Sequence, residues 1–176
     1  MHTPMKSSRR KAGYTLAEVM TAVAILAMVM AAASLTYSMS IRIWRTASAR
    51  MDASSAASLA LTRCTMGAGG GFGLRAAFLP VQITSETGGW EIRFTTPAGM
   101  SGDSTTANVL TFNAADRTIS YQSGNAAPVV IGRNIVASTA VQQSDAITIT
   151  VRAEAQTGYG NTSSEMSTSI APRNRS

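Results

Sequence analysis

The feature that most constrains this chain is an uncharged run near its N-terminus, at residues 19–41. The run consists mostly of alanine, methionine, valine, leucine and isoleucine, and it contains no proline that would kink a helix. As an α-helix it spans roughly 35 Å, which is enough to cross a bilayer core of about 30 Å. The run therefore predicts a membrane-spanning helix.

The net charge of +6 comes largely from the residues that precede this run. Lys6, Arg9, Arg10 and Lys11 all lie before Gly13, and without them 11 arginines face 9 acidic residues, a net charge of +2. A chain this close to neutral gives no support to a basic patch for phosphate backbones. Nucleic acid is therefore disfavoured as a partner.

A basic start followed by an apolar stretch has three interpretations. It is an ordinary signal peptide cut near Ala33, an unprocessed anchor, or a segment processed in another way. Glu18 distinguishes them, because a carboxylate inside a membrane segment costs about 2.5–3.5 kcal/mol even on insertion scales. The first two interpretations give Glu18 no purpose, unless it only snorkels to the interface.

The residues around Glu18 read KAGYTLAEV at positions 11–19. They resemble the signature of type IV prepilins, in which glycine precedes the cleavage point, an aromatic residue follows, and glutamate is the fifth mature residue. The resemblance implies a leader at residues 1–13, cleavage between Gly13 and Tyr14, and N-methylation of Tyr14. It also implies that Glu18 pairs with the N-terminal ammonium of a neighbouring subunit. Tyr14 replaces the usual phenylalanine, and Ala17 replaces a larger apolar residue.

The resemblance further implies a structural subunit of a type IV pilus or a type II secretion pseudopilus. Its expected partners are other pilin or pseudopilin subunits, a prepilin peptidase and methyltransferase, an inner-membrane assembly platform and the lipid bilayer. The expected location is the inner membrane, with one span and a periplasmic C-terminal domain. A minor subunit is favoured, because the C-terminal half lacks the cysteine pair of many major pilins. The rival hypothesis is a secreted β-domain that binds a small ligand after ordinary cleavage near Ala33.

The segment after the membrane run predicts a continuing helix. Residues 14–41 form the expected transmembrane and assembly helix. Residues 42–66 lack glycine and proline and are expected to continue it in the periplasm, with the last helical residue near position 62. Trp44 and its flanking arginines, Arg42 and Arg45, are typical of a membrane interface. A glycine-rich stretch at 67–73 ends the helix, and it lacks the lysine and spacing of a phosphate-binding loop.

Residues 67–176 predict an antiparallel sheet. Apolar and polar residues alternate at 90–95 and 147–154, and a hairpin is expected over 110–121 with its turn at 113–116. Weaker strands are expected at 78–84, 129–136 and 166–170. The predicted fold class is α+β, pilin-like, in which a long N-terminal helix packs its second half on a small antiparallel sheet.

Little in the sequence indicates chemistry. The only histidine, His2, lies in the leader, and Cys64 is the only cysteine, expected as a buried structural thiol. Asp103, among serines and glycines, is a weak calcium candidate compared with a surface loop, because calcium needs six to eight oxygen ligands. We therefore predict no enzyme activity, no cofactor and no metal.

Overall fold

The computed structural model describes residues 13–68, 70–98, 104–158 and 160–172. The predicted leader up to residue 12, and Asp103 with its calcium hypothesis, lie outside the described residues. The described chain contains a helix α1 (Leu16–Met66), a short 3-10 helix (Leu74–Ala76) and strands β1 (Phe78–Glu86), β2 (Gly89–Pro97), β3 (Thr105–Asn113), β4 (Thr118–Ser123), β5 (Val129–Arg133), β6 (Ile135–Gln143), β7 (Ala146–Thr157) and β8 (Gly160–Ile170).

The predicted α+β class is confirmed, with one long apolar N-terminal helix and antiparallel strands. The strands divide between two sheets, one ordered β1-β2-β3-β4-β5 and the other β6-β7-β8. The division into two sheets cannot be predicted from the alternation of apolar and polar residues, because that alternation identifies a strand but not the strands that pair with it.

The single strand predicted at residues 129–136 is wrong. The structure has two strands there, β5 and β6, separated by Asn134, whose φ of 61° lies in the left-handed region that strands do not adopt. Asparagine is among the residues that tolerate this region best, so the break has a local cause. Helix α1 also continues past the expected end near residue 62, to Met66.

The contacts of the chain divide it into two units, Met1–Ile43 and Trp44–Ser176. In the second unit the core forms between α1 and the strands. The helix contributes small buried side chains at intervals of three or four residues, namely Ala49, Ala53, Ala57, Ala60 and Cys64. The strands contribute larger ones from alternate positions, among them Ile92, Phe94, Leu110, Ile147, Ile149 and Val151.

The small helix residues permit a close approach of the backbone. A Cβ atom built on Gly132 of β5 would lie 2.9 Å from the Cβ of Ala60, so this position has room for glycine only. About one turn further along the helix, Arg63 donates a hydrogen bond from Nη1 to the carbonyl oxygen of Ile131, at 3.1 Å. The helix and β5 are thus joined by packing and by a polar contact.

The glycine-rich stretch connects the helix to the strands, as the sequence predicts. Gly67 has a φ of 99°, and its N–H donates to the carbonyl oxygen of Arg63 at 2.8 Å, which ends the helix with a left-handed residue. The hydroxyl of Tyr121 in β4 lies 3.0 Å from the carbonyl oxygen of Phe72, and this contact ties the stretch to the larger sheet.

The first unit is built differently. Within the described residues α1 is the one helix long and apolar enough to cross a membrane, and the apolar window near the N-terminus has none of its residues buried. Leu26, Met28 and Leu35 each expose 60% or more of their surface. An apolar helix surface that no protein segment covers is suited to contact with lipid.

Candidate processing and assembly site

The candidate site is the entry into α1. Gly13 and Tyr14 precede the helix and have no regular structure, and Tyr14 exposes 88% of its surface. A Cβ atom built on Gly13 would meet nothing within 4 Å. The fold of this chain therefore does not require glycine at position 13, and a requirement for it must come from a molecule that acts on the segment.

Glu18 makes a reciprocal contact with Thr15 at the first turn of the helix. Its Oε2 accepts hydrogen bonds from the backbone N–H of Thr15, at 3.0 Å, and from the Thr15 hydroxyl, at 3.1 Å. In return the Thr15 Oγ1 accepts from the backbone N–H of Glu18, at 3.3 Å. This is a capping box, in which two otherwise unpaired N–H groups at a helix start are satisfied by side chains.

This role of Glu18 was not predicted from the sequence, although the signal was present. Threonine followed three residues later by glutamate, directly before an apolar run, is the pattern of a capping box. The carboxylate placed in the apolar segment thus has a local partner within its own chain. Its other oxygen, Oε1, accepts no hydrogen bond from any described residue.

Four hydroxyl side chains along the apolar segment form hydrogen bonds with the helix itself. Thr21, Ser34, Thr36 and Ser38 each donate to a backbone carbonyl three or four residues earlier, at distances of 2.8 to 3.0 Å. Polar groups in hydrocarbon must find a partner within the protein. Glu18 is the one charged side chain between Tyr14 and Ile41 in the sequence. The surface beside it is apolar and is formed by Val19, Ala22, Val23 and Leu26.

The remaining candidate residues do not form a second site. Cys64 is completely buried, and burial raises the pKa of its thiol to about 12, so the reactive thiolate is scarce at neutral pH. In the part of the chain that the structure describes, no three histidine, cysteine or acidic residues lie close enough to hold a metal ion.

Residues 8–34 match a family model described as the prokaryotic N-terminal methylation motif. The N-terminal segment is type IV prepilin-like. The matched range runs from the end of the predicted leader through Gly13, Tyr14 and Glu18 into the apolar helix, and the motif supports a prepilin that is processed and methylated. The pilin-like family that carries this motif is structural and not catalytic. A search of curated proteins and a search of solved structures found no match.

The prepilin-like motif and the apolar helix fit an inner-membrane-anchored pilin. The match ends at Ser34, so the second unit, Trp44–Ser176, lies outside it. What the second unit contributes has to be argued from its own surfaces.

Proposed function

We propose that this chain is a minor structural subunit of a type IV pilus or a type II secretion pseudopilus. In this proposal it is cleaved between Gly13 and Tyr14, N-methylated at Tyr14, and assembled through α1. The observation that carries the proposal is the register of Gly13, Tyr14 and Glu18 at the start of an apolar helix, inside the segment that matches the methylation motif.

The geometry of Glu18 suits a contact with a neighbouring subunit. The capping box uses Oε2 and leaves Oε1 without a partner among the described residues. A carboxylate in lipid is costly when it stands alone, and an opposite charge offsets much of that cost. The ammonium of Tyr14 on a neighbour is such a charge, so assembly gains free energy that an isolated subunit cannot.

The mature N-terminus tests the processing step. Mass spectrometry of the membrane form should give a chain that begins at methylated Tyr14. The rival hypothesis, a secreted β-domain that binds a small ligand, requires a start close to Ser34. Gly13→Val should leave the precursor uncut and the fold unchanged, since no described atom lies within 4 Å of a Cβ at position 13. A normally cleaved Gly13→Val precursor would contradict the proposed site.

Two substitutions of Glu18 separate its charge from its cap. Glu18→Gln removes the charge but keeps an oxygen that accepts from Thr15, because glutamine also closes a capping box. Glu18→Ala removes both. If the charge drives assembly, both variants should insert and be cleaved normally, and both should co-purify poorly with partner subunits at matched expression.

Two other results with these Glu18 variants would contradict the proposed role of its charge. Full assembly of Glu18→Gln together with poor assembly of Glu18→Ala would assign Glu18 a capping role alone. Full assembly of both variants would remove Glu18 from the proposal altogether. Neither result would alter the cleavage site, which the mass of the mature chain tests independently.

A further inference from the structure

A groove in the second unit runs between α1 and the edge strand β8. It consists of three adjoining hollows of about 770, 340 and 310 Å³. The first and second share Ser58 and Met166, and the second and third share Thr65 and Thr168, so the three form one continuous channel. The exposed side chain of Met51, the buried Leu61 and the half-buried Met166 make its floor apolar, and serines and threonines line its sides.

The strand beside this groove has an outer edge without a proline, a bulge or a described partner strand. Proteins usually blunt exposed strand edges with prolines, bulges or short strands. The other three outer strands follow this rule, since β1 contains Pro80 and a register shift, β5 has five residues after Pro128, and β6 contains a register shift. Strand β8 pairs with β7 over eleven residues without a shift, and no described strand pairs with its other side.

The charged side chains that line the groove are both arginines. Arg50 lies at one end and Arg75 at the other, and neither guanidinium group forms a hydrogen bond or an ion pair with a described residue. No acidic residue lines the groove in the described ranges; Glu165 of β8 lies at an exposed position opposite Arg152 in β7. The helix rises roughly 24 Å from Arg50 to Met66, close to the length of seven extended residues.

We propose that this groove binds an extended acidic segment of a partner protein, which adds a strand to the free edge of β8. The backbone of the segment would pair with β8, its alternate side chains would cover Met51 and Met166, and carboxylates near its two ends would meet Arg50 and Arg75. Strand addition supplies affinity through main-chain hydrogen bonds and specificity through alternate side chains and charge. The proposal depends neither on Glu18 nor on cleavage after Gly13.

A labelled peptide tests the charge requirement. The probe is fluorescein-acetyl-Glu-Val-Thr-Val-Thr-Val-Glu-amide, and its control has lysine in place of both glutamates. Fluorescence polarisation with the full chain in detergent micelles should show at least about tenfold tighter binding of the acidic peptide. The double variant Arg50→Glu with Arg75→Glu should reverse that preference. Arg133→Glu, at an exposed position on β5, is the matched control and should leave it unchanged.

Hydrogen exchange tests the strand addition. The acidic peptide should slow amide exchange in β8, from Ser164 to Ile170, and leave β5 unaffected. Equal affinity for the two peptides, or an unaltered preference in the double variant, would overturn the charge argument. Tight binding with unchanged exchange in β8 would show that the peptide does not extend the sheet. Each of these results rejects the proposal without bearing on the cleavage site.

Discussion

The two halves of helix α1 use the same residue for opposite purposes. In the first half alanines such as Ala24, Ala27 and Ala31 are exposed, and in the second half Ala53, Ala57 and Ala60 are almost completely buried. Both halves are α-helical and rich in alanine. The difference is that strands cover the second half and nothing in the described chain covers the first. Small residues thus serve the packing of the chain on itself in one half and leave a surface for lipid or neighbouring helices in the other.

The largest effect on stability is expected from a comparison of two isoleucines, one buried under the strands and one exposed in the first half of the helix. Ile149→Ala removes a completely buried side chain from the core of the second unit and should cost about 2–5 kcal/mol of unfolding free energy. Ile25→Ala removes a side chain that exposes 63% of its surface and should leave the unfolding of that unit unchanged. Denaturant unfolding of the full chain in micelles, followed by the fluorescence of buried Trp90, measures both. A similar loss of unfolding free energy in the two variants would contradict the distinction between a covered and an uncovered half of the helix.

A smaller effect is expected from Tyr121→Phe. The Tyr121 hydroxyl lies 2.9 Å from Oδ1 of Asn108 and 3.0 Å from the carbonyl oxygen of Phe72, and Asn108 is buried with its Nδ2 donating to Thr96. The hydroxyl has a single proton to donate, so its loss leaves either the buried Oδ1 of Asn108 or the carbonyl oxygen of Phe72 without its donor, which should cost about 1–3 kcal/mol. The same unfolding measurement applies, with Tyr37→Phe on the exposed apolar half as the control. An unchanged midpoint for Tyr121→Phe would show that these acceptors find other donors.

The smallest effect is expected from Thr15→Ala, and it should stay local. The first half of the helix has no described tertiary contacts, so the loss of its cap can propagate only along the first turn. Amide exchange at Glu18, whose N–H donates to the Thr15 hydroxyl, should rise about fivefold, the factor that corresponds to a typical lost cap. The unfolding midpoint of the second unit should not move. Thr15→Ser keeps the hydroxyl and should exchange as the wild type does; a shifted midpoint in Thr15→Ala would contradict the independence of the two regions.

Sequence reasoning reached the parts of the molecule that depend on local chemistry. The uncharged run at residues 19–41 indicates a membrane helix because its length and composition suffice for that argument. The register of Gly13, Tyr14 and Glu18 indicates a prepilin-like segment, and the alternation at residues 147–154 indicates a strand of the second unit. The capping box was within reach too, because Thr15 and Glu18 are only three residues apart.

Other features depend on residues far apart in the chain, so they could not be predicted from the sequence. The division of the strands into two sheets follows from which edges pair, and no single strand encodes its partner. The need for glycine at position 132 arises from Ala60, more than 70 residues earlier. The groove beside β8 is lined by Met51 of the helix and Met166 of the last strand, which only the fold brings to one hollow. The membrane segment and the prepilin-like motif could thus be predicted from the sequence, because their physics is local, whereas the groove arises from packing between distant segments.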